Sequence, residues 1–117
     1  MKTILIAEDT DSNYLLAAVV MRKRYNLLHA LNGEEAVNMF RTHHPDAILM
    51  DISMPVMDGW EATRIIREED KNIPIIILTA NAFDSDRLRS LESGCTDYIA
   101  KPVTPTDLLE AFERAFK

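Results

Sequence analysis

Short apolar runs alternate with segments of helical period along the whole chain. Continuous apolar runs of strand length occupy residues 4–7, 47–50 and 75–78, a weaker mixed run occupies residues 25–30, and residues 97–100 form the last predicted strand. Between and after them, helical periodicity covers residues 12–24, a segment ending before Pro45, and residues 60–70, 84–93 and 105–116. Strands without polar alternation are typical of a parallel sheet buried on both faces. The pattern predicts one α/β domain over residues 1–117, with five parallel strands and five helices.

The first helical segment carries its larger apolar residues on one face. These residues are Leu15, Leu16, Val19 and Val20. Three cations at positions 22–24 follow them, which suits the C-terminal end of a helix. The spacing therefore predicts a helix over residues 12–24 with one apolar face.

Composition narrows the function classes. The formal net charge is −6, from 13 Lys and Arg against 19 Asp and Glu, which argues against direct binding of nucleic acid. The single cysteine, Cys95, cannot form an internal disulfide, which favours a reducing compartment. No apolar run reaches the length of a membrane span, so we expect a cytoplasmic protein without membrane insertion.

Polar side chains collect where the predicted strands end. Glu8 and Asp9 follow the first strand, Asp51 ends the third, Thr79 the fourth and Lys101 the fifth. The carboxyl ends of parallel strands share one edge, and ligands bind where the strand order reverses. For the order 2-1-3-4-5, three carboxylates then meet in one crevice beside a hydroxyl and an ammonium. The weaker second strand ends without an ionisable group, and we interpret His29 within it as a strand residue with a local partner.

This combination of groups indicates phosphoryl chemistry. Each residue alone is ordinary, since an acidic residue near a helix start or a surface lysine is common. Together, clustered carboxylates repel and suit Mg²⁺, whereas Zn²⁺ would require His or Cys at the site. Positioning and charge neutralisation are the parts that phosphoryl transfer needs. No glycine-rich phosphate loop is present, which leaves a carboxylate nucleophile that forms an acyl phosphate.

Four stretches of the chain resemble one family, the response-regulator receiver domain of two-component signalling. They are residues 6–9 (Ile-Ala-Glu-Asp), 49–59 (Leu-Met-Asp-Ile-Ser-Met-Pro-Val-Met-Asp-Gly), 77–80 (Ile-Leu-Thr-Ala) and 97–102 (Asp-Tyr-Ile-Ala-Lys-Pro). The resemblance covers the whole chain and implies a doubly wound, flavodoxin-like fold. The run from Met54 to Arg67 and residues 79–83 look most like receivers attached to hybrid sensor kinases.

The resemblance implies a role for each residue of the crevice. Asp51 is implied as the phosphoacceptor. Glu8, Asp9, Asp51 and the backbone carbonyl of Ser53 are implied to hold Mg²⁺, with Mn²⁺ able to substitute and Glu8 acting through water. Lys101 is implied to pair with the phosphoryl group. The family catalyses only its own phosphorylation and dephosphorylation, so the chain is not expected to be an enzyme acting on other substrates.

The resemblance also implies a switch and two kinds of protein partner. Thr79 closes on the phosphoryl group, Tyr98 turns inward in response, and the peptide between Lys101 and Pro102 is cis. The phosphodonor is a histidine kinase or a histidine phosphotransfer protein. The face formed by the fourth helix, fifth strand and fifth helix then controls a downstream partner or attached output domain, and is compatible with a phosphorylation-dependent dimer.

Two other functions agree less well with these residues. A Mg²⁺-dependent phosphohydrolase with an aspartyl nucleophile would need a second acid two residues after Asp51, where this chain has Ser53. A receiver-like protein that binds a partner without phosphorylation would not need the set formed by Glu8, Asp9, Asp51, Thr79 and Lys101.

Overall fold

The apolar runs form one five-stranded parallel sheet in the computed structural model of the chain, which describes residues 1–80, 89 and 92–117. The strands are β1 (Thr3–Ala7), β2 (Asn26–Ala30), β3 (Ala47–Asp51), β4 (Ile75–Thr79) and β5 (Asp97–Ala100). Their order is β2-β1-β3-β4-β5, and every neighbouring pair is parallel. The predicted doubly wound sheet is confirmed, and its order reverses between β1 and β3.

Four helices lie in the described ranges. They are α1 (Asp11–Met21), α2 (Gly33–His43), α3 (Gly59–Glu69) and α4 (Pro105–Ala115), the last being the predicted helix over residues 105–116. The predicted helix over residues 84–93 falls mostly outside the described residues, and of its members Arg89, Glu92 and Ser93 are described and helical. Within the described part of the chain, no helix has the length and apolar character needed to cross a membrane.

The sheet is covered on both faces, which explains the unbroken apolar runs. One apolar cluster lies under α2 and α3 and includes Leu5, Ile48, Met50, Ile75 and Ile77. The other lies under α1 and α4 and includes Ile4, Ile6, Leu49, Ile76 and Leu78. Successive strand residues point to opposite faces, so each central strand must be apolar at every position.

Three helices begin with a side-chain cap beside the C-terminal edge of the sheet. Asn32 accepts the Glu35 N–H at the start of α2, Asp58 caps α3 in the same way, and Thr104 caps α4. Helix α1 begins after Thr10, whose side chain makes no capping bond. The turn between β1 and α1 therefore depends on other contacts.

The apolar face predicted for α1 is largely exposed. Leu15, Leu16 and Val19 are 57%, 71% and 52% exposed. The buried residues of the helix are Ala17, Ala18 and Met21. The helix ends at Met21 with Arg22 at the C-cap, so it is shorter than predicted and the three cations follow it. The side of α1 that faces the sheet is thus formed by two alanines and a methionine, and three of its bulkier apolar residues face outward.

The loop between β3 and α3 is packed against two glycines. The Gly33 N–H donates to the Met57 carbonyl at 2.9 Å, and the Gly59 N–H donates to the Ile52 carbonyl at 3.1 Å. A Cβ atom on Gly33 would lie 2.3 Å from the Met57 oxygen, and one on Gly59 would lie 2.3 Å from the Asp51 oxygen. Because both obstacles are backbone atoms, neither can turn away like a side chain.

The close approach at Gly59 predicts that Gly59→Ala lowers the free energy of unfolding. The added methyl group must displace the backbone of β3, which costs about 1 to 3 kcal/mol. Urea unfolding followed by the fluorescence of Trp60 measures the change. Glu68→Ala, at an exposed position of the same helix, is the control and should change stability by less than about 0.5 kcal/mol. Equal stability of Gly59→Ala and the wild type would contradict this close packing of Gly59 against β3.

Candidate functional site

The C-terminal edge of the sheet brings the predicted polar residues together. Glu8 and Asp9 directly follow β1, while Asp51 and Thr79 are the last residues of β3 and β4. One carboxylate oxygen from each of Glu8, Asp9 and Asp51 lies within 4.8 Å of the others. The adjacency of β1 and β3, with Ala7 paired to Met50, produces this convergence.

Asp51 is held at the buried end of the crevice. Its residue is 2% exposed. Its Oδ1 accepts the Ser53 N–H at 2.9 Å, and its Oδ2 lies 3.0 Å from the Lys101 Nζ. The side chain of Lys101 is 31% exposed, so the ammonium reaches inward from the solvent boundary. Both carboxylate oxygens of Asp51 are therefore fixed in direction.

Lys101 is aimed by the end of β5. Its backbone N–H donates to the Thr79 carbonyl at 2.8 Å, which extends the contact between β4 and β5 beyond the last strand residue. The peptide bond between Lys101 and Pro102 is cis. The lysine thus departs from a backbone that is anchored to the neighbouring strand.

The pKa of Glu8 is altered by its surroundings in the cluster. It is 3% exposed, and its Oε1 accepts the Thr10 N–H at 3.2 Å. The pKa of Glu8 is raised to about 7, chiefly by burial and then by its hydrogen bond to Asp51 and the charge of Asp51, against the opposing effects of Thr10 and Lys101. Burial and the neighbouring Asp51 therefore disfavour the charged form of Glu8 by more than Lys101 stabilises it.

The donor set fits a hard divalent cation. Glu8, Asp9 and Asp51 offer only carboxylate oxygens, which suit Mg²⁺ and not a metal that prefers imidazole or thiolate. Asp9 is exposed, so an ion there would keep contact with water, as Mg²⁺ does. The backbone N–H of Ser53 donates to Asp51 Oδ1. That the Ser53 carbonyl oxygen binds the metal ion stays a prediction.

The two residues predicted to act as a switch lie on neighbouring strands. Thr79 is fully buried at the end of β4. Tyr98 is half-buried on β5, packs against the apolar cluster under α2 and α3, and borders a surface cavity whose other side includes Asp107 and Arg114 of α4. Their motion on phosphorylation stays a prediction.

A contact to His29 is the part of the site that the sequence pattern did not predict in detail. His29 Nε2 lies 2.8 Å from the backbone oxygen of Glu8. The ring of Tyr14 stacks on the imidazole, with centroids 3.7 Å apart and planes at 5°. The local partner expected for His29 is thus the backbone of Glu8. No pattern in the sequence indicates that these two positions are in contact.

An apolar cavity of about 470 Å³ opens beside the charged crevice. Glu8 and Lys101 line it on one side. Leu16 of α1 and Val103, just after the Lys101–Pro102 peptide, line it on another. Leu16, one of the exposed apolar residues of α1, therefore lines the same cavity as Glu8 and Lys101.

The raised pKa of Glu8 predicts how stability depends on pH in the metal-free protein. The folded state binds this proton more tightly, so the stabilisation is complete below the unfolded pKa of 4.5 and is lost as pH rises through about 7. Glu8→Gln resembles the protonated acid at every pH. In EDTA the variant should therefore exceed the wild type in unfolding free energy by about 1 to 3 kcal/mol above pH 8.

The two proteins should have nearly equal stability near pH 4.5. Urea unfolding at pH 4.5 and pH 8.5 measures both differences. Glu34→Gln, which alters an exposed glutamate of α2, is the control and should give no such crossover. A Glu8→Gln difference that is the same at both pH values would contradict the raised pKa.

Comparison with known proteins agrees with this geometry. Residues 4–113 match the family described as the response regulator receiver domain. The chain is 35% identical over 115 residues to the polar-differentiation response regulator DivK of Brucella anthropi, covering 96% of this chain and 94% of that protein.

Two solved structures share the fold along almost their full lengths. The receiver domain of a sensor histidine kinase from Pseudomonas aeruginosa, with a magnesium ion coordinated in its active-site cleft, is 38% identical with a TM-score of 0.89, covering 97% of this chain and 95% of that one. The chemotaxis protein CheY4 of Vibrio cholerae is 27% identical with a TM-score of 0.92, covering 98% of each chain. The chain belongs to the response regulator receiver domain family and is a receiver domain of two-component phosphorelay signalling.

Proposed function

We propose that Asp51 accepts a phosphoryl group from a phosphohistidine of a sensor kinase or histidine phosphotransfer protein, in a reaction that requires Mg²⁺. The observation that carries this proposal is the buried Asp51 carboxylate, held between the Lys101 ammonium at 3.0 Å and two further carboxylates. The Asp51 carboxylate is oriented for attack on phosphorus. The Lys101 ammonium is already in place to stabilise the negative charge on the phosphoryl oxygens.

The transfer is an exchange of one bond to phosphorus for another. A carboxylate oxygen of Asp51 forms a bond to the phosphorus as the bond between phosphorus and the donor's imidazole nitrogen breaks. The bonding electron pair returns to that nitrogen, and the product is an acyl phosphate on Asp51. Such transfers depend on positioning and electrostatic stabilisation, which Lys101 supplies through its point charge. The chain acts on itself alone and promotes both phosphorylation and hydrolysis of its own acyl phosphate.

Glu8, Asp9, Asp51 and the carbonyl of Ser53 would hold the metal ion. When bound, Mg²⁺ neutralises the carboxylates and the oxygens of the incoming phosphoryl group. Mn²⁺ prefers similar oxygen ligands and should substitute for it. Three carboxylates against one ammonium support this assignment, because Lys101 alone does not balance them.

Phosphorylation would be transmitted through Thr79 and Tyr98. Thr79 is tied to Lys101 through its carbonyl, and Tyr98 lies one strand away beside α4. A shift of Thr79 toward the phosphoryl group would change the packing that receives the Tyr98 ring. The face that includes β5 and α4 would then recruit a downstream partner or control an attached output domain, a two-state change biased by a local charge.

The exposed apolar residues of α1 suit the protein that donates the phosphoryl group. A protein donor must bring its phosphohistidine to Asp51, so its surface has to cover the mouth of the crevice. Leu16 is 71% exposed and lines the same cavity as Glu8 and Lys101. Burial of this side chain would supply affinity next to the reacting atoms.

Intact mass after incubation with acetyl phosphate tests the acceptor and the metal together. The wild type should gain one phosphoryl group in Mg²⁺ and none in EDTA. Asp51→Asn should gain none, because an amide oxygen is a poor nucleophile and cannot share the metal site in the same way. Asp58→Asn, in the following loop, is the matched control and should be phosphorylated like the wild type.

The same experiment separates the alternatives. A wild type that gains no mass under any condition would favour a receiver-like protein that acts without phosphorylation. Steady turnover of an external phosphate monoester that depends on Asp51 would favour a phosphohydrolase instead.

A charge on the apolar face of α1 should impair transfer from a protein donor and spare transfer from a small one. With a phosphorylated histidine phosphotransfer domain that serves the wild type, Leu16→Asp should slow transfer by about tenfold or more. With acetyl phosphate the two proteins should react alike. Leu31→Asp, which alters another exposed leucine just after the edge strand β2, is the control. An equal loss with both donors, or no loss with either, would contradict this docking surface.

A further inference from the structure

His29 replaces a missing step of the hydrogen-bond ladder between β1 and β2. The ladder ends at the pair Ala7–Ala30, followed by a bond from the Glu8 N–H to the Ala30 carbonyl at 2.9 Å. A continued parallel ladder would give the Glu8 carbonyl a donor two residues beyond Ala30. That residue, Asn32, is the N-cap of α2, and His29 Nε2 lies on the carbonyl at 2.8 Å instead. Because a carbonyl oxygen only accepts, Nε2 carries the hydrogen.

Tyr14 fixes the direction of this imidazole. Its ring lies flat on His29 at 3.7 Å between centroids, with an interplanar angle of 5°. Its backbone N–H donates to the Thr10 carbonyl at 3.0 Å, which places Tyr14 in the first turn of α1. The turn that carries the acidic pair is thereby tied to β2 through His29 and to α1 through Tyr14.

The carbonyl of Glu8 matters because it belongs to the peptide group that joins the two acidic residues, Glu8 and Asp9. The peptide group is planar, so fixing the Glu8 carbonyl also fixes the N–H of Asp9 and the position of the Asp9 Cα, from which that side chain departs. The side chain of Glu8 leaves from the same residue. Mg²⁺ demands nearly octahedral geometry, so a rotation of this peptide would spoil the ligand set even with every carboxylate still present.

We propose that His29, clamped by Tyr14, is a positioning residue for the divalent-cation site formed by Glu8, Asp9 and Asp51. The inference rests on the proposed Mg²⁺-dependent function. His29 would contact neither the ion nor the phosphoryl group, and it would act through the backbone of Glu8. Its replacement should therefore change affinity for the ion more than it changes the stability of the fold.

Two amide substitutions of His29 test whether the side chain must reach the Glu8 carbonyl or need only be polar. The side-chain nitrogen of His29→Gln can occupy the place of Nε2, whereas that of His29→Asn lies nearer the backbone and falls short of the carbonyl. Titration of the ¹⁵N-labelled chain with MgCl₂ gives the dissociation constant from backbone amide shifts. His29→Asn should weaken Mg²⁺ binding by about tenfold, as loss of an outer partner of a metal ligand does, and His29→Gln should retain most of the affinity. The Asp9 amide resonance should move in His29→Asn before any Mg²⁺ is added.

Tyr14→Leu provides a second, independent variant. It leaves the imidazole in place and removes the stacked ring, so it too should weaken Mg²⁺ binding. Urea unfolding in EDTA gives the stability of each variant, and a purely structural role would lower stability and affinity alike in both amide variants. Wild-type affinity in His29→Asn and in Tyr14→Leu, or equal losses in His29→Asn and His29→Gln, would overturn the positioning role. The wild-type titration reports separately on the proposed function, because a chain that binds no Mg²⁺ has no site to position.

Discussion

Carboxylates held close together and out of water impose the constraint on which the rest of the site depends. Glu8 and Asp51 are almost fully buried, and their oxygens lie within 4.8 Å of each other and of Asp9. Burying such charges costs free energy on folding. The pKa of Glu8 is raised to about 7 because its charged form is disfavoured at this site. The arrangement persists because β1 and β3 are packed on both faces and cannot move apart without opening two apolar cores. The hydrophobic sheet thus holds together charges that would otherwise separate.

Sequence periodicity predicted the sheet and the acidic crevice because both follow from where strands begin and end. The apolar runs fixed the strand positions, and Glu8, Asp51 and Lys101 stood at strand ends that a parallel sheet must bring to one edge. The exposure of the apolar face of α1 was not predictable, because a helical period identifies a face without saying which neighbour covers it. The contact from His29 to Glu8 depends on where the ladder stops, which follows from the start of α2 and not from the pattern in β2.

The exposed apolar side of α1 is relevant to function because it lies beside the charged residues Glu8 and Lys101. Leu16 and Val103 line the cavity that also contains Glu8 and Lys101. A protein that covered this apolar surface would exclude water from the mouth of the crevice, and exclusion of water strengthens the attraction between Lys101 and an anionic group there. Docking and chemistry would then reinforce each other, so the same contact that provides affinity would also improve the electrostatics of transfer.

The unbalanced charge of the cluster also explains how a small chemical event could change the conformation of the domain. A proton on Glu8 and a divalent cation among the carboxylates are competing ways to lower the same repulsion, since ligation needs the deprotonated acid. A phosphoryl group on Asp51 would carry up to about two negative charges where the carboxylate, which now pairs with Lys101, carries one. Lys101 would have to be shared with the new oxygens, and its backbone is tied to Thr79 at the end of β4. A shift of Lys101 would therefore act first on β4 and β5, the two strands that carry the proposed switch residues.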